Sequence, residues 1–135
     1  IVKGGVKPRG LAAVTRGAFV VHPRVEDAAV PGWMIIAPVR HVEQWDELSP
    51  NEQRELGELI GEVSAALREA TAAEKIYVNV FAEVVAHLHV HLIARARDLP
   101  VEARGPRIFQ TAGADPKAAD AIAKAVLSRL EPRTK

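Results

Sequence analysis

The chain has no cysteine among its 135 residues, which excludes disulfide bonds and cysteine-ligated zinc sites. Charge of one sign is lacking too. Eighteen Lys and Arg stand against 17 Asp and Glu, for a net charge of +1. Such a balance offers no basic stripe to a phosphate backbone, so a nucleic-acid partner is not expected. No uninterrupted apolar run approaches the roughly 20 residues of a membrane-spanning helix. No basic-then-apolar leader ends in a small-residue cleavage site, and the chain opens on Ile1 rather than Met, consistent with residues ahead of it that are missing or removed. The expectation is a cytoplasmic protein with no membrane partner. Internal repeats are absent, and the alanine-rich stretch near the C-terminus is the most biased segment.

What is present suffices for one domain over 1–135, with 48% hydrophobic residues and a length that buries a core without staples. Residues 1–9 are rich in Lys, Gly and Pro and read as an irregular terminus. Two short apolar runs between Leu11 and Val21 flank Thr15-Arg-Gly17, which predicts a hairpin ended by His22-Pro23. Residues 23–31 mix charge with proline and read as a loop, in which Glu26 and Asp27 are solvated charges or ligand contacts. Trp33 to Val39 is an apolar run of strand length. Trp33 is either core or a stacking face for a base.

Ser49-Pro50-Asn51-Glu52 combines a capping serine, a first-turn proline and an acid at the third helical position, which announces a helix. Leu56, Leu59, Ile60, Val63 and Leu67 then recur at helical spacing through about residue 70. Lys75 to Phe81 alternates Ile76, Val78 and Val80 against Tyr77, Asn79 and Phe81, a strand whose short link to the next predicts an antiparallel neighbour. Asn79 would then emerge on the face opposite the aliphatic residues. Asp115-Pro116 opens a last helix with Ile122, Ala123, Val126, Leu127 and Leu130 on one side.

The most informative stretch is His87-Leu-His-Val-His91-Leu-Ile-Ala-Arg95. Its period of two places His87, His89 and His91 on one face of a strand and Leu88, Val90 and Leu92 on the other. A strand rises roughly 3.3 Å per residue, so the outer histidines stand about 13 Å apart and one metal ion cannot collect all three. A histidine pair with Glu83 remains open as a divalent-metal site. The other use of three imidazoles is nucleophilic catalysis, in which one ring attacks while its neighbours orient it or hydrogen-bond to the substrate.

This stretch resembles the signature of the histidine triad (HIT) family of nucleotide hydrolases and transferases, in which three histidines alternate with apolar residues. Pro31-Gly-Trp-Met-Ile-Ile-Ala-Pro-Val-Arg-His41-Val resembles the family's upstream strand, at the family's spacing. The resemblance covers roughly residues 18–97, leaving 98–135 as a C-terminal tail and helix. Two positions depart from it: Trp33 stands where the family usually has histidine, and Glu83 where it usually presents an amide or a glycine-rich loop.

The resemblance implies an α+β, HIT-like fold: an antiparallel sheet of about five strands, one long helix on a face and a last helix across an end. It implies that His89 attacks the α-phosphorus of a dinucleoside polyphosphate or nucleoside phosphoramidate to give a nucleotidyl-histidine that water resolves. His87 and His91 would flank the phosphate, with Asn79, Glu83 and His41 as binding or helper residues. No cofactor is required on this reading, and a homodimer that joins sheets is implied. The alternatives are a non-catalytic nucleotide-binding module of the same fold, in which Glu83 weakens the chemistry, or a metal-dependent enzyme built on a histidine pair. Arg95, Arg97, Arg104 and Arg107 are candidates either for phosphate clamping or for solvation.

Overall fold

The computed structural model describes residues 13–24, 31–81, 85–110 and 115–130. Glu26, Asp27 and Glu83 lie outside the described residues, as does the first part of the expected hairpin, Leu11 and Ala12.

The hairpin forms from β1 (Val14–Arg16) and β2 (Phe19–Pro23), with Arg16 paired to Phe19 across a two-residue turn. Gly17 takes φ +60° there, the left-handed value that a two-residue hairpin turn with glycine first demands. Arg16 then ties the hairpin to both helices, reaching the Glu62 carboxylate with two nitrogens (2.9 and 3.0 Å) and the Leu130 carbonyl at 3.1 Å.

β3 (Trp33–Pro38) is the apolar run, and α1 (Pro50–Thr71) is the long helix that the capping signal predicts. The Ser49 hydroxyl accepts from the Glu52 N–H at 3.1 Å while the Glu52 carboxylate accepts from the Ser49 N–H at 2.8 Å, so two of the helix's orphan donors are satisfied. Glu52 also takes a bidentate bond from Arg40 (2.7 and 3.1 Å), which moors the segment following β3 to the start of α1. The helix ends at Ala72 in the left-handed region (φ 56°), where its N–H bonds the Arg68 carbonyl at 2.8 Å.

β4 (Lys75–Asn79) and β5 (Val90–Arg95) complete a fully antiparallel sheet of order β1-β2-β3-β5-β4. The last helix, α2 (Pro116–Leu130), packs beside α1 and against β2. Among the described residues the fold is thus the expected α+β arrangement of five antiparallel strands and two α-helices.

Side-chain parity divides the sheet into two sides. Phe19, Val21, Met34, Ile36, Val90 and Leu92 point toward Leu56, Leu59, Val63 and Leu67 of α1 and Val126 and Leu127 of α2, forming the main core. Each fully buried aliphatic side chain there stabilises by roughly 2 kcal/mol. The other face carries Trp33, Ile35, Tyr77 and Ile93, covered by Leu99 and by Ile108 and Phe109 of the 3-10 turn Gly105–Gln110. His91 belongs to this second side, in one cross-strand row with His22, Ile35 and Asn79.

Candidate active site

β5 sets the geometry. His91 pairs with Ile35 of β3 on one side and with Asn79 of β4 on the other, while Ile35 pairs with His22 of β2. Asn79 therefore lies on the histidine face, as the alternation in its strand predicts. The ladder between β3 and β5 stops at the pair Ile36 and Val90. In register, Ala37 would next face His89 and then Pro38 would face Leu88, and Pro38 has no N–H to offer the Leu88 carbonyl. The Leu88 N–H instead bonds the Val42 carbonyl at 2.7 Å, and residues 87–89 lead into the strand without belonging to it.

That early stop shapes His89. Its Nδ1 lies 2.7 Å from the carbonyl oxygen of His87, which can only accept, so Nδ1 carries the proton. In the neutral ring the lone pair is then on Nε2. His91 has the opposite arrangement. Trp33 Nε1–H, a group that can only donate, bonds His91 Nδ1 at 2.9 Å, so the proton of the neutral His91 ring sits on Nε2. The two rings are edge to face with centroids 4.9 Å apart. One presents a lone pair and the other an N–H, the pairing needed for a nucleophile beside a donor to an oxyanion.

Burial, with smaller contributions from His89 and Arg24, pushes the His91 pKa down to about 4, so this ring is neutral at pH 7. Arg24 lies over the Trp33 ring at 4.2 Å, and its N–H bonds the Trp33 carbonyl at 3.0 Å. Gly32 brings the chain in at φ +88°, where a Cβ would lie 2.9 Å from Cβ of Ala94 and 3.3 Å from Cγ2 of Thr71. The tryptophan strand thereby sits close against β5 and the end of α1.

His87 is placed differently from its two companions. Its ring is buried at 4% exposure, with Nε2 donating to the Pro38 carbonyl at 3.0 Å and Nδ1 3.4 Å from Nδ1 of His41. His41 in turn places Nε2 3.1 Å from the Glu43 carboxylate. The alternation predicts one face for all three triad rings. The ring contacts instead pair His89 with His91 and His87 with His41, because the strand ends before His87. His87 serves His89 through its backbone carbonyl.

Trp33 is both core, at 3% exposure, and the hydrogen-bond donor to His91. A buried indole N–H must find an acceptor, and that signal was available in the sequence. Phe109 stands edge-on to both Trp33 (5.1 Å) and His91 (5.3 Å), and nothing in the local pattern around it marks this role. Glu43 likewise escapes sequence reasoning. Arg104 donates to the Leu99 and Arg97 carbonyls, Arg107 to the Glu102 carbonyl, and buried Arg95 pairs with Glu74, so these three arginines are engaged in holding the structure. Among the described residues, no group of three or more His, Asp or Glu side chains is placed to hold a metal ion.

The fold and this face together define an antiparallel α+β domain that presents two adjacent imidazoles in complementary tautomers. The sequence model of the HIT domain matches residues 17–98, and the chain belongs to this family of histidine triad proteins, broadly one of nucleotide-binding hydrolases and transferases. Solved structures agree. A histidine triad protein of Sinorhizobium meliloti is 27% identical, covers 87% of this chain and 90% of its own, and superposes with a TM-score of 0.70. One of Bradyrhizobium japonicum is 24% identical, with 89% and 90% covered and a TM-score of 0.74. A histidine triad nucleotide-binding protein of Sulfolobus tokodaii is 20% identical, with 90% and 85% covered and a TM-score of 0.65. No curated protein matches the sequence. Among the described residues, no helix is long and apolar enough to cross a membrane.

Proposed function

We propose that this protein hydrolyses a phosphoanhydride or phosphoramidate bond at the α-phosphorus of a nucleotide through a nucleotidyl-histidine on His89. Dinucleoside polyphosphates and nucleoside phosphoramidates are the substrate classes. The observation that carries the reading is the His89 ring itself, held by Nδ1–H to the His87 carbonyl with Nε2 left to attack. In the first step Nε2 forms a bond to phosphorus and the leaving group departs with its bonding pair and is protonated. In the second, water adds at phosphorus and the P–N bond breaks, returning His89. His91 Nε2–H and the Asn79 amide supply donors to the phosphate oxygens, and His87 and His41 support the ring from behind. Glu83, which stands in the sequence where the family usually presents an amide, is the residue expected to tune which phosphate is accepted. Water as the resolving group makes the enzyme a hydrolase, whereas an alcohol or phosphate in its place makes it a transferase.

The whole of 1–135 acts as one domain in the cytoplasm and pairs with a second copy. β4, last in the sheet order, has an outer edge available for joining sheets, with Val78 on it 45% exposed. The test is to quench turnover of an α-labelled adenosine phosphoramidate in alkali and map the label. Label on His89, lost with activity in His89→Ala, is the expected result. Binding without adduct or turnover would leave a nucleotide-binding module, and inactivation by EDTA with recovery on zinc or manganese would favour a metal enzyme.

A further inference from the structure

We propose that Trp33 is a positioning residue that fixes His91 as a neutral ring protonated on Nε2, so that His91 acts toward substrate only as a hydrogen-bond donor. The proposal rests on the reading of His89 as the nucleophile and names what holds its partner.

A neutral imidazole has two tautomers of similar energy, and near neutral pH it also takes a second proton. Each state presents something different to a phosphate. The indole removes the choice, because its Nε1–H donates at every accessible pH and lies 2.9 Å from His91 Nδ1. A proton on Nδ1 would set two N–H groups against each other inside a buried contact. The indole cannot swing away either: Trp33 is 3% exposed, is paired with Ile93 in the β3–β5 ladder and is wedged by Phe109. Phe109 also abuts His91, closing its ring from the other side, and it comes from outside the stretch that matches the family model.

Among the described residues, few titratable or charged groups face His91. His89 precedes it on its own segment, and Arg24 follows β2. β2 also carries His22 in the same cross-strand row, with Ile35 of β3 between, while β4 contributes the uncharged Asn79 opposite and Tyr77 two residues along. With His91 held neutral, the ring adjacent to the nucleophile adds no positive charge that would withdraw its lone pair.

The experiment uses the full chain labelled with 15N and reads the ring nitrogens from about pH 7.5 to 5, without substrate. Wild type is expected to show a protonated Nε2 and a bare Nδ1 on His91 throughout, with a through-hydrogen-bond coupling from Trp33 Nε1 to His91 Nδ1. In Trp33→Phe the His91 ring should populate both tautomers and take up a proton within that range. In turnover of adenosine phosphoramidate, kcat of Trp33→Phe should fall about tenfold with KM little changed and the acid limb moved to higher pH, and Trp33→His, which restores an N–H, should recover most of the loss. No coupling in wild type, or a Trp33→Phe ring that keeps the wild-type tautomer and titration, would overturn the proposal. Should Trp33→Phe not fold, the wild-type coupling decides alone. A wild type inert toward all nucleotide probes refutes the nucleophile on His89 instead, since the ring spectra are read independently of turnover.

Discussion

Acidification should weaken this fold well before its carboxylates are protonated, and His91 is the cause. Its folded pKa is about 4 against the ordinary imidazole value of 6.5. Below pH 6.5 the unfolded chain binds a proton that the folded chain refuses, so stability present above that pH is lost progressively as pH falls toward 4, where the folded ring also charges. At about 1.36 kcal/mol per pKa unit the loss is bounded by roughly 3 kcal/mol, and the ring's partial exposure to solvent reduces it to about 2 kcal/mol. Glu52 acts in a lower window: the Arg40 bond, with the Ser49 cap, lowers its pKa from 4.5 to about 2, so its contribution is lost only below about pH 4.5. Urea denaturation at steps from pH 7.5 to 4.5 should therefore show wild type losing about 2 kcal/mol relative to His91→Gln, which has no ring to protonate. Parallel curves for the two proteins across that range would refute the reasoning.

Three further outcomes are expected. Ala72 holds a left-handed φ of 56° at the end of α1, so Ala72→Gly should raise stability by about 1 kcal/mol in the same denaturation assay. Gly32→Ala must place a methyl 2.9 Å from the Ala94 Cβ at φ +88°, and should lower stability by roughly 2 kcal/mol and reduce turnover by loosening Trp33. Leu92, fully buried between His91 and Ile93, should lose about 3 kcal/mol on truncation to alanine, as measured by the urea midpoint with the slope unchanged.

How much of this was legible in the sequence differs by element, for physical reasons. The capping box at Ser49 and Glu52 and the stripe from Leu56 to Leu67 are local signals, and the helix they specify is the one observed. The Lys75–Phe81 alternation likewise put Asn79 on the histidine face, because a period of two fixes the face once the neighbour is antiparallel, while its pairing with His91 is set by the register. The histidine strand is where local reasoning overreached. Its alternation continues through His87, but the ladder does not: beyond Ala37 the register reaches Pro38, which has no N–H for the Leu88 carbonyl, and the Leu88 N–H has gone to Val42. Periodicity reports where side chains would point if pairing continued, and it carries no information about what the neighbouring strand can donate. Phe109 was invisible for a different reason: it reaches the site from a 3-10 turn 18 residues beyond His91, through tertiary packing alone.

The loss of pairing before Val90 is also what allows the site to be a site. Had the β3–β5 ladder run on through His87, its carbonyl would be committed to, or aligned with, the sheet, and His89 would have only solvent to receive its Nδ1 proton. Because the strand stops, the His87 carbonyl turns to hold the next ring at 2.7 Å, while the His87 side chain spends its own nitrogens on Pro38 and His41. A backbone interruption thus selects the tautomer of His89, and a buried indole selects the opposite tautomer of His91. The complementarity of the two rings arises from groups that never need contact substrate. Replacing Pro38 by alanine should test this directly: the added N–H gives Leu88 a ladder partner, and if pairing extends, the His89 ring nitrogens should report a mixture of tautomers where wild type has one. An unchanged His89 tautomer in a variant with an extended ladder would show that the strand end is incidental to the chemistry.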